Sequence, residues 1–354
     1  MQIKSHLKDL YRVISSGISR KGQLRLDMNE AYAALPDDFI DSVLSHIDAD
    51  YLSMYPEYET LQEKIALSDG LGPENICLSN GSDAAIKYIF EAFVSPGDRI
   101  LLTEPTFAMY PVYCKMFDAS IIAVEYGADL SFPVDKFLES ITGAIKLAVL
   151  INPNNPTGTL IHKDDVIRIV ERARDCGVIA VIDEAYFHFC GETVIDKVLE
   201  YENLIVLRTF SKLCAMAALR LGYAAASSGI IGGLKKVIPT FDVNGIAVLF
   251  AGRFLDTPGL VKSMLKEFKE GKAFLMDKLS LHGIEFVSGN ANFLLIRCHG
   301  RAAEIVRALS ERNILVGGGF KLHMLRDYIR VTVSKKEIME RFFDEFIGIY
   351  RKMI

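Results

Sequence analysis

Lys212 stands in Arg208-Thr209-Phe210-Ser211-Lys212, directly after an apolar stretch and beside hydroxyl side chains. A lysine so placed is suited to condense with a carbonyl compound. Taken alone it reads more readily as a surface lysine at a strand end. Arg220 follows in Ala218-Leu219-Arg220-Leu221-Gly222, and a guanidinium can grip a phosphate with two parallel hydrogen bonds. Thr209 and Ser211 bring two hydroxyls to the same place. Asp183 closes the apolar run Val178 to Ile182, and a carboxylate at that depth is costly unless it meets a cation. The protonated pyridine nitrogen of pyridoxal 5′-phosphate (PLP) is such a cation. Tyr186, three residues on, and Asn155, in the loop after the preceding strand, can reach the ring's phenolic oxygen. The ordinary alternatives are a helix cap for Asp183 and a turn residue for Asn155.

Two further segments fit the same chemistry. Asn80-Gly81-Ser82-Asp83 opens a helical pattern, and the first turn of a helix turns free N–H groups toward an anion. The commoner use of such a sequence is a plain N-cap. Phe107, in Glu104-Pro105-Thr106-Phe107, can stack on an aromatic ring, with core packing as the alternative.

The elements that must hold these residues follow from the hydrophobic period. Strands are predicted at 24–26, 99–103, 120–124, 146–151, 178–182, 204–208 and 222–226, and helices at 58–68, 82–94 and 163–176. Strands alternating with helices imply an α/β fold, a mostly parallel sheet covered on both faces. Ligands in such sheets bind beyond the strand ends. From about residue 235 the pattern changes to long helices, notably 258–281, with short strands at 293–297 and 328–333. The expected organisation is an arm over 1–30, a large domain over 31–235 and a smaller α+β domain over 236–354.

Composition narrows the class. A chain of 354 residues with a formal net charge of −5 gives no basis for a nucleic-acid partner. Its longest apolar runs are far short of a membrane span, and the N-terminal residues lack a signal-peptide core. The six cysteines form no C-x-x-C pair, and the seven histidines are scattered. Reduced thiols, no structural metal and a cytoplasmic location are the expectations.

The order N-G-S-D, E-P-T-F-A-M-Y, N-P-N-N-P-T-G, V-I-D-E-A-Y, R-T-F-S-K, L-R-L-G-Y and I-R-V-T-V resembles the fold-type I PLP-dependent aminotransferases, and within them most the histidinol-phosphate aminotransferase branch. The likeness runs from about residue 24 to the C-terminus. It implies that Lys212 is the Schiff-base lysine and proton shuttle, that Asp183 pairs with the pyridine nitrogen, and that Asn155 and Tyr186 bond the phenolic oxygen. Phe107 would stack on the ring. Gly81, Ser82 and Asp83, at the helix start, would bind the phosphate with Thr209, Ser211 and Arg220. Tyr55 matches a tyrosine that reaches the phosphate of the neighbouring subunit, which implies a homodimer. Arg330 matches the arginine that grips the substrate's acidic group, and Asn155 is expected to contact the substrate as well.

The usual glycines after the lysine are here Ala215 and Ala218, and two further departures fall on the substrate side. N-E-N-P is here Asn29-Glu30-Ala31-Tyr32, and I-L-V-R is Ile314-Leu315-Val316-Gly317. With Gly317 where a second substrate arginine is expected, Lys321 or Arg326 becomes the candidate replacement. The resulting expectation is a transaminase moving an amino group from glutamate to a small, phosphorylated oxo compound. The alternatives are histidinol-phosphate transamination itself and PLP-dependent decarboxylation of a phosphorylated amino acid. A non-enzymatic regulator is disfavoured, since Lys212 and Asp183 are both present.

Overall fold

The computed structural model describes residues 3–10, 19–31 and 35–354. Tyr32, one of the altered substrate-side positions, lies outside them. The strands in chain order are β1 (Leu24–Leu26), β2 (Ile76–Ser79), β3 (Arg99–Glu104), β4 (Ser120–Glu125), β5 (Leu147–Ile151), β6 (Ile179–Asp183), β7 (Leu204–Thr209) and β8 (Gly222–Ala226). They continue with β9 (Phe286–Ser288), β10 (Phe293–Arg297), β11 (Ile314–Val316) and β12 (Tyr328–Thr332).

Seven of them form one sheet in the order β2-β8-β7-β6-β5-β3-β4. Its neighbours β4, β3, β5, β6 and β7 run parallel, and β8 lies antiparallel to both β7 and β2. Both faces are covered, so β5 and β7 are buried along their whole length and read as continuous apolar runs. Alternate side chains serve opposite cores. Leu150, Ile182 and Val206 point into one, while Val149, Val181 and Ile205 point into the other. This pleat decides which residues of the strand ends can face a ligand.

A second body contains the three-stranded antiparallel sheet β12-β10-β9. The helix Lys336–Met353 packs on the helix Pro258–Leu281 over its core. β1 pairs in parallel with β11, and Leu24 and Leu26 sit in this core. The arm thus ends as part of the smaller body.

Nor does that body begin at residue 235. The helix Gly245–Leu255 buries Ala247, Phe250 and Phe254 in the large-sheet core with Leu61 and Ile65. The helix Pro258–Leu281 then crosses over: Leu260 belongs to the large core, Leu275 and Leu279 to the small one. Hydropathy alone gives a helix's buried stripe but not the core that receives it. Three short strands, β2, β9 and β11, carry too few residues for a period-2 signal and come only from the structure. The six cysteines are free thiols. Among the described residues, no helix is long and apolar enough to cross a membrane.

Candidate active site

The parallel strands end at one edge of the sheet, where a cavity of about 130 Å³ is lined by residues from the connections after β2, β3, β5, β6 and β7. Ser82, Asp83, Phe107, Asn155, Asp183 and Tyr186 line it, with Thr209, Ser211, Lys212 and Arg220 opposite.

One end is built for an anion. The helix Gly81–Phe93 starts there, and its first N–H groups have no partner within the helix. Gly81 has φ +77°, and a Cβ on it would meet Arg220 Nη2 at 2.6 Å. A Cβ at Gly222 would meet the Ser82 nitrogen at 2.4 Å. Both positions therefore exclude side chains and keep space around that N–H and the guanidinium. Arg220 itself takes φ 55°, a left-handed conformation that costs a non-glycine residue about 1 kcal/mol. Thr209 lines the cavity, but its hydroxyl is engaged in shaping the turn: it donates to Leu221 O (3.3 Å) and accepts from the Ser211 N–H (3.1 Å). Ser211 and Ser82 have no such intramolecular commitment of their hydroxyls among the described residues.

The other end holds Asp183, fully enclosed at the tip of β6. Its Oδ1 accepts from the Ala185 N–H (3.1 Å) and its Oδ2 from the Tyr110 hydroxyl (3.2 Å). Burial pushes its carboxyl up to about 6, against those two hydrogen bonds and the charge of Lys212. A carboxylate so placed gains from a cation in the cavity. Lys212 Nζ lies 3.3 Å from Met28 O and 5.5 Å from the centre of the Tyr186 ring. The Tyr186 oxygen accepts from Asn155 Nδ2 (3.2 Å) and from Asn29 Nδ2 (3.0 Å), which leaves its own proton free to donate. Phe107 stands on the cavity wall, edge-on to Tyr110.

A second cavity of about 650 Å³ opens outward from the first and shares Phe107, Asn155 and Lys212 with it. Arg330 lies on its wall. Its Nη1 donates to Asn155 Oδ1 and its Nη2 to Asp27 O, both at 2.7 Å, and burial works against its charge. Lys321 also lines this cavity, whereas Arg326 is not on its wall. Gly317 and Gly318 are held in place by close packing. Gly317 exchanges both backbone hydrogen bonds with Arg330 at 2.8 Å, and a Cβ on Gly318 would meet Val306 Cγ2 at 2.7 Å.

Tyr55 is the one expected cofactor contact away from this cavity. It is 73 % exposed and stacked on Phe241 at 4.1 Å, in a separate groove with Tyr51 and Pro56. Sequence reasoning missed Tyr110 and Asn29, whose roles depend on partners 73 and 157 positions away. It also missed the buried set behind Asp183, in which Arg208 pairs with Glu184 (3.0 Å) and Asp69 (2.7 Å). Arg208 and Glu184 each neighbour a pocket residue, Thr209 and Asp183, and the pleat sends them to the opposite face.

An anion cradle made of backbone N–H groups, a buried carboxylate and a lysine between them, at the C-terminal edge of a doubly covered parallel sheet, define a PLP-dependent enzyme of fold type I. Residues 16–346 match the family model for aminotransferase class I and II, and the chain belongs to that family: it is a PLP-dependent transaminase. A histidinol-phosphate aminotransferase of Thermoanaerobacter sp. (strain X514) is 36% identical over 316 residues, which cover 88% of this chain and 89% of that protein. Among solved structures, a putative histidinol-phosphate aminotransferase from Erwinia carotovora atroseptica SCRI1043 superposes with a TM-score of 0.87 at 20% identity, covering 94% of this chain and 98% of its own. The histidinol-phosphate aminotransferase from Sinorhizobium meliloti, solved in complex with pyridoxal-5′-phosphate, gives 0.85 at 20%, covering 94% and 92%.

Proposed function

We propose that this transaminase moves an amino group from glutamate to a small phosphorylated oxo compound, in the cytoplasm. The observation that carries the reading is Arg330, a half-buried guanidinium on the wall where the outer cavity meets Asn155. It can take a substrate carboxylate or phosphate bidentately. Lys321 supplies a second cation on the same cavity in place of the missing arginine.

Bound in the inner cavity, PLP supplies an aromatic ring whose protonated nitrogen draws electrons from the substrate's Cα. Asp183 would keep that nitrogen charged. Tyr186 and Asn155 would bond the ring oxygen, Phe107 would cover one face, and the N–H groups at Gly81, Ser82 and Asp83 with Ser211 and Arg220 would hold the phosphate. Lys212 Nζ would carry the covalent link at rest and, when freed from it, would serve as the base that holds and passes on the Cα proton. The hydrogen-bond series Arg330, Asn155, Tyr186 couples substrate grip to cofactor position.

The test is steady-state kinetics with glutamate and a panel of oxo compounds. A phosphate held by one guanidinium in place of two loses a charge-assisted contact, about tenfold to hundredfold in binding. That loss falls on every phosphorylated substrate alike; with the substrate-side walls altered as well, short phosphorylated ketones are expected to exceed the histidinol-phosphate pair in kcat/KM. Lys321→Ala should raise KM for the phosphorylated acceptor and leave that for glutamate nearly unchanged. A clear preference for histidinol phosphate with a micromolar KM would overturn the proposal. That second reading has its own support in the activity named for the relatives and in a cavity of about 650 Å³, roomy enough for an imidazole ring. Release of CO2 from a phosphorylated amino acid would instead mark a decarboxylase.

The enzyme is proposed to act as a homodimer in which Tyr55 reaches the neighbouring cofactor phosphate. Its exposed ring, which lines a groove separate from the inner cavity of its own chain, supports this. Sedimentation equilibrium of the holoenzyme should give twice the chain mass, and a fully active monomer would refute it.

A further inference from the structure

The short helix Met109–Met116 begins two residues after the ring-stacking Phe107 and presents two tyrosines three positions apart, so both lie on one helix face. Tyr110 is fully buried, and its hydroxyl lies 3.2 Å from Asp183 Oδ2. The hydroxyl of Tyr113 lies 3.0 Å from Asp83 Oδ1 and 3.2 Å from the Asp83 carbonyl oxygen. One helix face thus touches both carboxylates that border the cofactor cavity, one at the ring end and one at the anion end.

We propose that Tyr110 is a positioning residue for the cofactor's ring nitrogen, acting through Asp183. The argument starts from the carboxylate. Asp183 is the last residue of β6, and two donors hold its carboxylate. The Ala185 N–H binds Oδ1 at 3.1 Å and Tyr110 binds Oδ2 at 3.2 Å. Two donors on two oxygens set the carboxylate plane, and the remaining lone pairs would be left for the ring nitrogen. The Ala185 N–H is backbone and cannot be tuned, so Tyr110 is the adjustable half of the hold. Burial and the adjacent carboxylate keep the Tyr110 phenol protonated far above its ordinary range, so it remains a donor wherever the enzyme works.

The same side chain is tied to ring stacking. Phe107 and Tyr110 meet edge-on, with centroids 6.5 Å apart and planes at 80°. The face that covers the cofactor ring and the hydroxyl that orients its nitrogen partner therefore move as one unit on the entry to this helix. A slip of the helix would misplace the stacking face and the carboxylate together.

The experiment uses holoenzyme reconstituted with PLP labelled with ¹⁵N in the ring. In Tyr110→Phe, which removes one oxygen atom, the ring ¹⁵N resonance is expected to move toward the value of the unprotonated nitrogen. The PLP dissociation constant should rise about tenfold, as for loss of one hydrogen bond to a charged group. In the Asp183→Asn background the same substitution should change that constant less than about twofold, because its route to the nitrogen is gone. Tyr113→Phe removes the same atom from the same helix and serves as the control: it should leave the ¹⁵N resonance in place. An unmoved resonance in Tyr110→Phe would overturn the proposal. So would equal effects in both backgrounds, or an equal shift in Tyr113→Phe, since each would mean that the helix is merely a packing element. None of these outcomes depends on the identity of the amino acceptor.

Discussion

Lys212→Ala is expected to abolish turnover while leaving the protein folded and still able to hold PLP. Lys212 Nζ stands between the two cavities, near Met28 O and the Tyr186 ring. On the proposed mechanism it has two duties, the covalent link at rest and the proton transfer between Cα and cofactor. Removing a positioned acid–base group alone costs about two to four orders of magnitude. Losing the covalent link as well should put the total loss at four orders or more, at least about 5 kcal/mol of barrier. Binding is another matter. The helix N-terminus at Gly81, the Ser82 N–H and Arg220 are untouched by the substitution. The variant should therefore take up PLP with the spectrum of the free aldehyde. Absorption spectroscopy and single-turnover assays with glutamate check both halves. A variant with the wild-type spectrum and rate would remove Lys212 from the mechanism.

The residues that carry this chemistry were legible because they sit in short loops right after apolar strands. Asn155, Asp183, Lys212 and Arg220 were read from local sequence, and the structure brings all four to one cavity. What local sequence could not supply was the second layer. Tyr110 looks like any apolar-helix tyrosine until β6 is laid beside β5 and β3, which brings Asp183 under it. Asn29 belongs to the stretch after β1, and its contact with Tyr186 exists only because β1 joins the smaller body through β11. The Gly317 to Gly319 run is silent in a different way: the backbone pairing of Gly317 with Arg330 and the closeness of Val306 to Gly318 make two of the three packing glycines. Close approach of backbones is a property of the folded chain, invisible to composition.

Asp183→Asn is expected to separate stability from catalysis in opposite directions. In the protein without cofactor, burial raises the Asp183 carboxyl from 3.8 to about 6. The folded state therefore binds the proton more tightly than the unfolded state within that window. Stability contributed by this group is greatest below about pH 4, falls as pH rises to about 6, and is level beyond. An amide has no charge to bury, and the Tyr110 hydroxyl can turn to accept from its NH2 group while Ala185 N–H still binds its oxygen. The apoenzyme of the variant should thus be more stable than wild type at pH 8, by roughly 2–3 kcal/mol at most, with little difference near pH 4. Catalysis should go the other way. A neutral amide cannot keep the pyridine nitrogen protonated, and a loss of about four orders of magnitude corresponds to about 5 kcal/mol of barrier. Thermal melts of both apoenzymes at pH 4.5 and 8 test the first half, and kcat/KM for glutamate tests the second. A variant of near wild-type activity would end the assignment of Asp183 to the ring nitrogen. A variant less stable than wild type at pH 8 would show that the carboxylate is not carrying an uncompensated buried charge. Together, gained stability and lost turnover would identify Asp183 as a residue kept for the cation it meets, at a cost to the fold that binds it.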